Sequence, residues 1–233
     1  MATIVMGSLS VLSSFFDSDG HIQEKVARAW SRFLLFVSGV RVDVQGLEQL
    51  DLSANYVFVA NHLSLMDTPV VLASVPVRFL FIAAEKYFRI PFLGTHLRRG
   101  GHLPVNILDP RGALKVMTEA ARLIRERNLS IVLFPEGTRA RGPMGEFKEG
   151  AAYIGIKSGI PVVPMAILGT RDILPAGSLH LRAGRAQLRI GEPLPTGNLT
   201  LKDRAQLTSA LRARVCELLQ GRAETVGNAA GRR

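Results

Sequence analysis

The sequence predicts an α/β fold, because short apolar runs typical of strands alternate with stretches of helical periodicity from residue 41 onward. Of the 233 residues, 47% are hydrophobic and 21% are charged, which suits a globular core better than a disordered chain. No internal repeat, low-complexity tract or linker divides this part of the chain. We therefore expect one domain over 41–233, preceded by a separate N-terminal segment over 1–40.

The N-terminal segment begins with an apolar stretch, Ile4 to Phe16, which serines interrupt. No run of 18 uncharged apolar residues exists, so an ordinary bilayer-spanning helix is not expected. No Lys or Arg precedes Lys25, which argues against a cleaved secretory signal. Two interpretations stay open: a poorly ordered leader, or a segment that lies in a membrane interface.

The next segment, 22–37, has apolar residues at helical spacing and predicts an amphipathic helix. Lys25, Arg28 and Arg32 mark the other side of this helix. Such a helix commonly covers a core. Trp30 and the basic side chains favour the surface of a membrane instead, so that residues 1–40 are expected to be N-terminal membrane-interface helices.

The strands and helices of the main domain follow from local patterns. Residues 40–44 alternate as a strand does, and compact apolar or β-branched runs predict further strands at 56–60, 78–83, 130–134, 161–167 and 185–190. Helical periodicity predicts helices at 66–74, 110–127, 148–158 and 201–219. Asp109 followed by Pro110 is a typical start for the second of these helices, since Asp caps a helix and Pro suits its first turn.

Composition limits the chemistry that this chain performs. Cys216 is the single cysteine, so intramolecular disulfides and cysteine-based zinc or iron–sulfur sites are excluded, and a reducing compartment is indicated. The net charge of +10 favours an anionic partner: a phosphate, a phospholipid surface or a nucleic acid. No nucleic-acid recognition module accompanies the charge, and neither a G-x-G-x-x-G nucleotide motif nor a G-x-S-x-G hydrolase motif is present.

The first informative motif, N-H-x-x-x-x-D, follows the strand predicted at 56–60 and contains His62 and Asp67. Because Asp67 opens a predicted helix five positions after His62, its carboxylate can fold back onto the imidazole. That contact would fix the tautomer and stabilise the protonated ring, as a general base acting on an alcohol requires. The spacing alone is weak, since an Asp at this place is commonly a helix cap.

The second motif, F-P-E-G-T-R, follows the strand predicted at 130–134 and ends at Arg139. Open α/β sheets bind ligands at the carboxyl ends of their strands, and a guanidinium offers a planar fork for a phosphate. Gly137 would allow a close approach of the backbone. The alternative interpretation is a surface turn with a solvated Arg139.

Together, these two ordered motifs closely resemble the glycerol-phosphate and lysophosphatidic acid acyltransferase family, which makes phosphatidic acid. Residues 85–94, with Lys86, resemble the family's lysine-containing segment, and 159–167 resemble its fourth motif. The resemblance covers roughly residues 22–190. It implies a single domain with a central mixed sheet flanked by helices.

The resemblance also implies roles for residues. His62 would take the proton from the sn-2 hydroxyl of lysophosphatidic acid as that oxygen attacks an acyl thioester, and Asp67 would orient His62. The residues implied at the acceptor site are Lys86, Glu136, Gly137, Thr138 and Arg139. No metal, cofactor or acyl-enzyme is implied, because the alcohol is the nucleophile and the acyl-CoA or acyl carrier protein is a substrate. Backbone N–H groups near His62 are candidate donors to the oxyanion.

The same resemblance implies the protein's partners and location. These are a lysophospholipid acceptor, the acyl donor and an anionic membrane surface, with no nucleic acid among them. We expect a peripheral or monotopic membrane protein at the cytoplasmic face.

One position departs from the family's pattern. Residues 101–107 resemble its second motif, whose last position is commonly Arg, but Ile107 stands there. Arg98, Arg99 or Arg111 would then substitute, or the acceptor lacks the usual phosphate. The alternatives are therefore an acyltransferase for another lysophospholipid or an amino lipid, and a catalytically inactive lipid-binding relative. His102, in the same segment, has no carboxylate at the right spacing and is expected to be a structural or a surface residue.

Overall fold

A computed structural model describes residues 21–139, 142–178 and 180–221 of the chain. The apolar stretch from Ile4 to Phe16 lies outside these residues. A seven-stranded sheet forms the centre of the molecule, with its strands in the order β1-β7-β6-β2-β5-β3-β4. The strands are β1 (Val40–Gln45), β2 (Val57–Ala60), β3 (Phe79–Ala84), β4 (Leu103–Val105), β5 (Ser130–Leu133), β6 (Val162–Leu168) and β7 (Gly184–Ile190).

Seven α-helices of the described residues surround the sheet. They are α1 (His21–Val37), α2 (Asp67–Ser74), α3 (Leu93–Arg99), α4 (Pro110–Arg127), α5 (Gly150–Ser158), α6 (Thr170–Ile173) and α7 (Arg204–Gln220). Alternate side chains of β2 enter two cores: Phe58 packs with residues of α1 and α2, and Val59 packs with residues of α4, α5 and α7. The sheet is thus covered on both faces, as the near-continuous apolar sequence of its central strands requires.

The sheet is mixed. β6, β2, β5, β3 and β4 run parallel to one another. β7 is antiparallel to β6, and β1 is parallel to β7. The mixed α/β architecture predicted from the sequence is confirmed. The division of the chain at residue 40 stays a prediction.

The sequence patterns missed the shortest elements. β4 has three residues, contains Pro104 and pairs only with β3 among the described strands. Pro is tolerated there because an edge strand leaves one side of its backbone unpaired. α3 and α6 have seven and four residues, which is too short for a helical period to be recognised.

α1 is attached to the sheet domain by its polar side. Gln23, Ser31 and Leu35 are buried against the domain. The guanidinium of Arg28 donates to the carbonyl oxygens of Val77, at 2.6 Å, and Leu72, at 3.1 Å, and also to that of Val75. Arg28 therefore binds carbonyl groups at and just after the carboxyl end of α2, where a helix carries negative partial charge.

The apolar side of α1 faces solvent instead of the core. Phe33 is 47% exposed, Phe36 81% and Val37 56%. These residues share one face of the helix with Ile22, which is 44% exposed. No helix in the described ranges is long and apolar enough to cross a bilayer.

His102 has a structural role in joining the segment before β4 to β3. Its Nδ1 accepts the N–H of Phe81 at 2.9 Å. Burial, with a smaller contribution from the neighbouring His96, lowers the pKa of His102 to about 3. The ring is therefore neutral at physiological pH, in agreement with the structural role expected for it.

We expect His102 to make the protein less stable in acid. The unfolded chain binds a proton on this ring near pH 6.5, whereas the folded chain does so only near pH 3, so stability is lost as the pH falls through this window. His102→Asn keeps an acceptor for Phe81 N–H but removes the proton site. Between pH 7 and pH 5 its melting temperature should fall less than that of the wild type. Parallel decreases would contradict this assignment.

Candidate active site

The topology brings three chain segments together at one edge of the sheet. β2 lies between β5 and β6 and is parallel to both, so the carboxyl ends of all three strands meet. β2 leads to His62, β5 leads to the F-P-E-G-T-R motif, and β6 leads to Thr170. This is the edge at which open α/β sheets bind ligands.

His62 and Asp67 are in contact, as their spacing predicted. His62 Nδ1 lies 2.8 Å from Asp67 Oδ2, and the imidazole is 14% exposed whereas the carboxyl group is fully buried. Oδ2 also accepts the backbone N–H groups of Leu63, at 2.7 Å, and Ser64, at 2.9 Å. Since Oδ2 acts as an acceptor throughout, Nδ1 carries a proton, and the lone pair of the neutral ring is on Nε2.

Thr170 completes the surroundings of Asp67, and sequence reasoning missed it. Its hydroxyl is fully buried and donates to Asp67 Oδ1 at 2.5 Å. No sequence signal indicates this contact, because Thr170 lies 103 positions away and belongs to a four-residue helix. The carboxylate thus has donors on both oxygens.

Two further side chains fix the same turn to β6 and to the segment after it. Asn61 donates to the carbonyl of Ile167 at 2.9 Å and accepts the N–H of Ile167 at 2.8 Å. The hydroxyl of Ser64 donates to the carbonyl of Leu174 at 2.6 Å. Asn61 therefore acts as a substitute for a strand partner, which gives the first residue of the N-H-x-x-x-x-D motif a physical role.

The second motif supports His62 from the other side. The ring of Phe134 stacks on the imidazole with centroids 4.1 Å apart and an interplanar angle of 13°. Glu136 accepts the backbone N–H of His62 at 2.7 Å through Oε1 and that of Gly145 at 2.8 Å through Oε2. Glu136 thus holds the turn around His62 as well as belonging to the candidate acceptor site.

The N–H groups at the His62 turn are already used. The N–H of His62 donates to Glu136, and those of Leu63 and Ser64 donate to Asp67. Candidate donors to a developing oxyanion therefore have to be sought outside residues 62–64.

The other predicted site residues follow the carboxyl ends of β5 and β3, at the same edge of the sheet as His62. Gly137 has a φ of +74°, which its lack of a side chain permits, and Thr138 and Arg139 follow it. Arg139 is half-buried and makes no ion pair with a described residue. Lys86 follows β3, which is two strands from β2 in the sheet, or about 10 Å at ordinary strand spacing.

Among the described residues, no group of three or more His, Cys, Asp or Glu could hold a metal ion. The site is instead a buried carboxylate, a histidine oriented by it and basic residues around a sheet edge. A histidine held in this way can take a proton from a hydroxyl group as a general base.

Comparisons with known proteins identify the family. The family model described as Acyltransferase matches residues 41–168, which is more than half of the chain. The chain belongs to this acyltransferase family.

Individual relatives agree with this assignment. The chain is 36% identical over 172 residues to the chloroplastic 1-acyl-sn-glycerol-3-phosphate acyltransferase BAT2 of Brassica napus, covering 72% of this chain and 49% of the relative. The alpha enzyme of the same name from Homo sapiens is 28% identical over 189 residues, covering 81% and 67%. The chain spans about half the length of the Brassica relative.

A solved structure resembles nearly the whole chain. The crystal structure of the 1-acyl-sn-glycerophosphate (LPA) acyltransferase PlsC from Thermotoga maritima superposes with a TM-score of 0.77 at 26% identity. The superposition covers 97% of this chain and 93% of that one. The fold is therefore shared along the described chain and beyond the region that the family model matches.

The Thr170 contact predicts a specific change in stability. Thr170→Val keeps the shape of the side chain but leaves Asp67 Oδ1 buried without its donor, so the free energy of unfolding should fall by about 1–3 kcal/mol. Thr170→Ser, which retains a hydroxyl, should lose less. Urea denaturation measures both variants, and a loss in Thr170→Ser with none in Thr170→Val would show that the methyl group, rather than the hydrogen bond, matters.

Proposed function

We propose that this protein transfers an acyl chain from an acyl thioester to the sn-2 hydroxyl of lysophosphatidic acid and so forms phosphatidic acid. The observation that carries the proposal is the contact between His62 Nδ1 and Asp67 Oδ2, which directs the lone pair of Nε2 away from the carboxylate. The names of the relatives and of the structural neighbour support the choice of acceptor.

In this mechanism His62 is the general base. Nε2 accepts the hydroxyl proton of lysophosphatidic acid while the oxygen attacks the thioester carbonyl carbon, and Asp67 stabilises the resulting imidazolium. The C–S bond then breaks, and the leaving thiolate takes the proton back from Nε2. The products are phosphatidic acid and a free thiol, and no acyl-enzyme forms.

The stack of Phe134 on the imidazole supports this assignment. It restricts rotation of the ring, and the 14% exposure of His62 limits its contact with water. A base that is held in place before the substrate binds needs less reorganisation in the transition state.

The acceptor phosphate is assigned to the basic residues of this edge, Arg139 and Lys86. Arg139 offers a planar fork of donors, and Lys86 carries a compact charge on an exposed stem. Ile107 is the observation that favours a second candidate function, the acylation of another lysophospholipid or an amino lipid. The intact contact between His62 and Asp67 argues against an inactive lipid-binding relative.

The acyl donor is proposed to be acyl-CoA or acyl carrier protein, each acting as a substrate, with no resident cofactor. The single cysteine, Cys216, lies in α7 at the far end of the chain from the motifs and is no candidate for an acyl carrier on the enzyme.

We further propose that α1 lies on an anionic membrane surface at the cytoplasmic face. Its exposed face carries Phe33, Phe36 and Val37, whereas its polar side binds the domain. A helix with an unpartnered apolar face and flanking Lys25 and Arg32 suits the interface between head groups and acyl chains. The contacts of Arg28 with the end of α2 would hold the domain close to that surface.

His62→Ala tests the proposed base. Turnover of lysophosphatidic acid with an acyl-CoA should fall by roughly 10²–10⁴-fold, which is the usual contribution of a positioned base. His180→Ala is the control, because His180 is exposed and remote in sequence from both motifs. The products that both variants form are identified by mass spectrometry. Wild-type turnover by His62→Ala, with phosphatidic acid still formed, would exclude His62 as the base.

A double substitution of Phe33 and Phe36 by Ser tests the membrane proposal. Because both rings are exposed, the melting temperature should stay unchanged, while sedimentation with anionic liposomes should weaken by about tenfold or more. Leu52→Ser, at a residue 60% exposed elsewhere on the surface, is the matched control. Equal binding by the double variant and the wild type would rule out this face as the contact.

A further inference from the structure

The residue at position 107 contributes no positive charge to the proposed acceptor site. Ile107 follows β4 and packs with the core formed by α4, α5 and α7, so it offers no charge. Arg98 donates to the carbonyl of Phe88, and Arg99 also has an interaction partner. Arg111 lines a surface groove along the outer side of α4. The contacts described for Arg98 and Arg111 are thus with Phe88 and with the surface of α4.

A different cationic residue, Lys148 in the segment 142–149, lies next to Ile107. Two hydrogen bonds from backbone N–H groups join that segment to the second motif: Lys148 N–H donates to Pro135 O at 2.9 Å, and Gly145 N–H donates to the side-chain Oε2 of Glu136 at 2.8 Å. The backbone of Lys148 is thereby fixed next to the turn that contains Gly137.

The side chain of Lys148 lies between Ile107 and this turn. Its Nζ is 3.4 Å from the carbonyl oxygen of Ile107. A Cβ placed on Gly137 would be 3.6 Å from Lys148 Cε and 3.4 Å from Ile107 Cγ2. Lys148 and Ile107 therefore share the surface of Gly137. Lys148 forms no ion pair with any residue that the structure describes, and its side chain is exposed.

We propose that Lys148 supplies the positive charge that Ile107 lacks and is a specificity-determining residue for acceptors with a phosphate monoester. This inference rests on the proposed function. An ammonium has three donors, of which the carbonyl of Ile107 uses one, so two stay available for phosphate oxygens. Lys binds phosphate as a point charge and needs no planar geometry, which suits an exposed, flexible stem.

The phosphate takes no part in the bonds that form and break at the sn-2 hydroxyl, so this contact should act mainly on binding. Lys148→Ala should raise KM for a short-chain lysophosphatidic acid and lower kcat/KM by about tenfold, with kcat nearly unchanged. With a monoacylglycerol, which lacks the phosphate, kcat/KM should not change. Neutral detergent micelles remove the contribution of an anionic surface. Lys115→Ala, on the outer side of α4, is the matched control and should leave both acceptors unaffected.

A rescue experiment distinguishes a charge contact from a structural one. Ile107→Arg in the Lys148→Ala background should restore most of the lost kcat/KM for lysophosphatidic acid, because the new guanidinium starts from the residue that Lys148 contacts. Lys148→Arg should retain wild-type preference. The apolar stem of Arg can cover the surface that Ile107 leaves, and melting temperatures check that each variant folds.

These experiments distinguish a failure of the Lys148 proposal from a failure of the proposed function. If the wild type fails to acylate lysophosphatidic acid, the proposed function is wrong whatever Lys148 does. If the wild type is active but Lys148→Ala loses activity equally on both acceptors, or loses none, the role of Lys148 is overturned. A selective loss in Arg111→Ala with none in Lys148→Ala would move the role to Arg111.

Discussion

The buried carboxylate of Asp67 is the constraint on which the site depends. A carboxyl group removed from water is costly unless its oxygens have hydrogen-bond partners. Here the partners come from the turn after β2, from the ring of His62 and from Thr170 at the start of α6. The hydrogen bonds to the Asp67 carboxylate therefore fix the backbone at 63–64, the orientation of the imidazole and the position of the segment that follows β6.

The arrangement of strands makes this convergence possible. Since β2 lies between two parallel neighbours, the residues that follow all three strands are close in space although they are far apart in the sequence. Phe134 and Glu136 then hold His62 from the β5 side, and Asn61 and Ser64 bind the β6 side. The two motifs are thus parts of one hydrogen-bonded and packed unit, which explains why the ordered pair is more informative than either motif alone.

Sequence patterns predicted the long strands and helices, the α/β class and the contact of His62 with Asp67, because these follow from hydrophobic periodicity and from short-range spacing. The mixed sheet was implied only by the resemblance to the acyltransferase family. They did not predict Thr170 or Lys148, since each acts through a tertiary contact that leaves no periodic signal. The sequence also did not show which side of α1 faces the domain. Periodicity identifies an apolar face but does not say whether the domain or a membrane covers it, and here Arg28 decides which side binds the domain.

The central claim is that Asp67 keeps the proton of His62 on Nδ1 and leaves Nε2 free to act as a base. The most direct measurement is ¹⁵N NMR of the protein with ring-labelled histidine, with the His62 signals assigned by their absence in His62→Gln. We expect the neutral ring to have a protonated Nδ1 and an unprotonated Nε2. A neutral ring protonated on Nε2 would contradict the claim, because that nitrogen could not accept the hydroxyl proton.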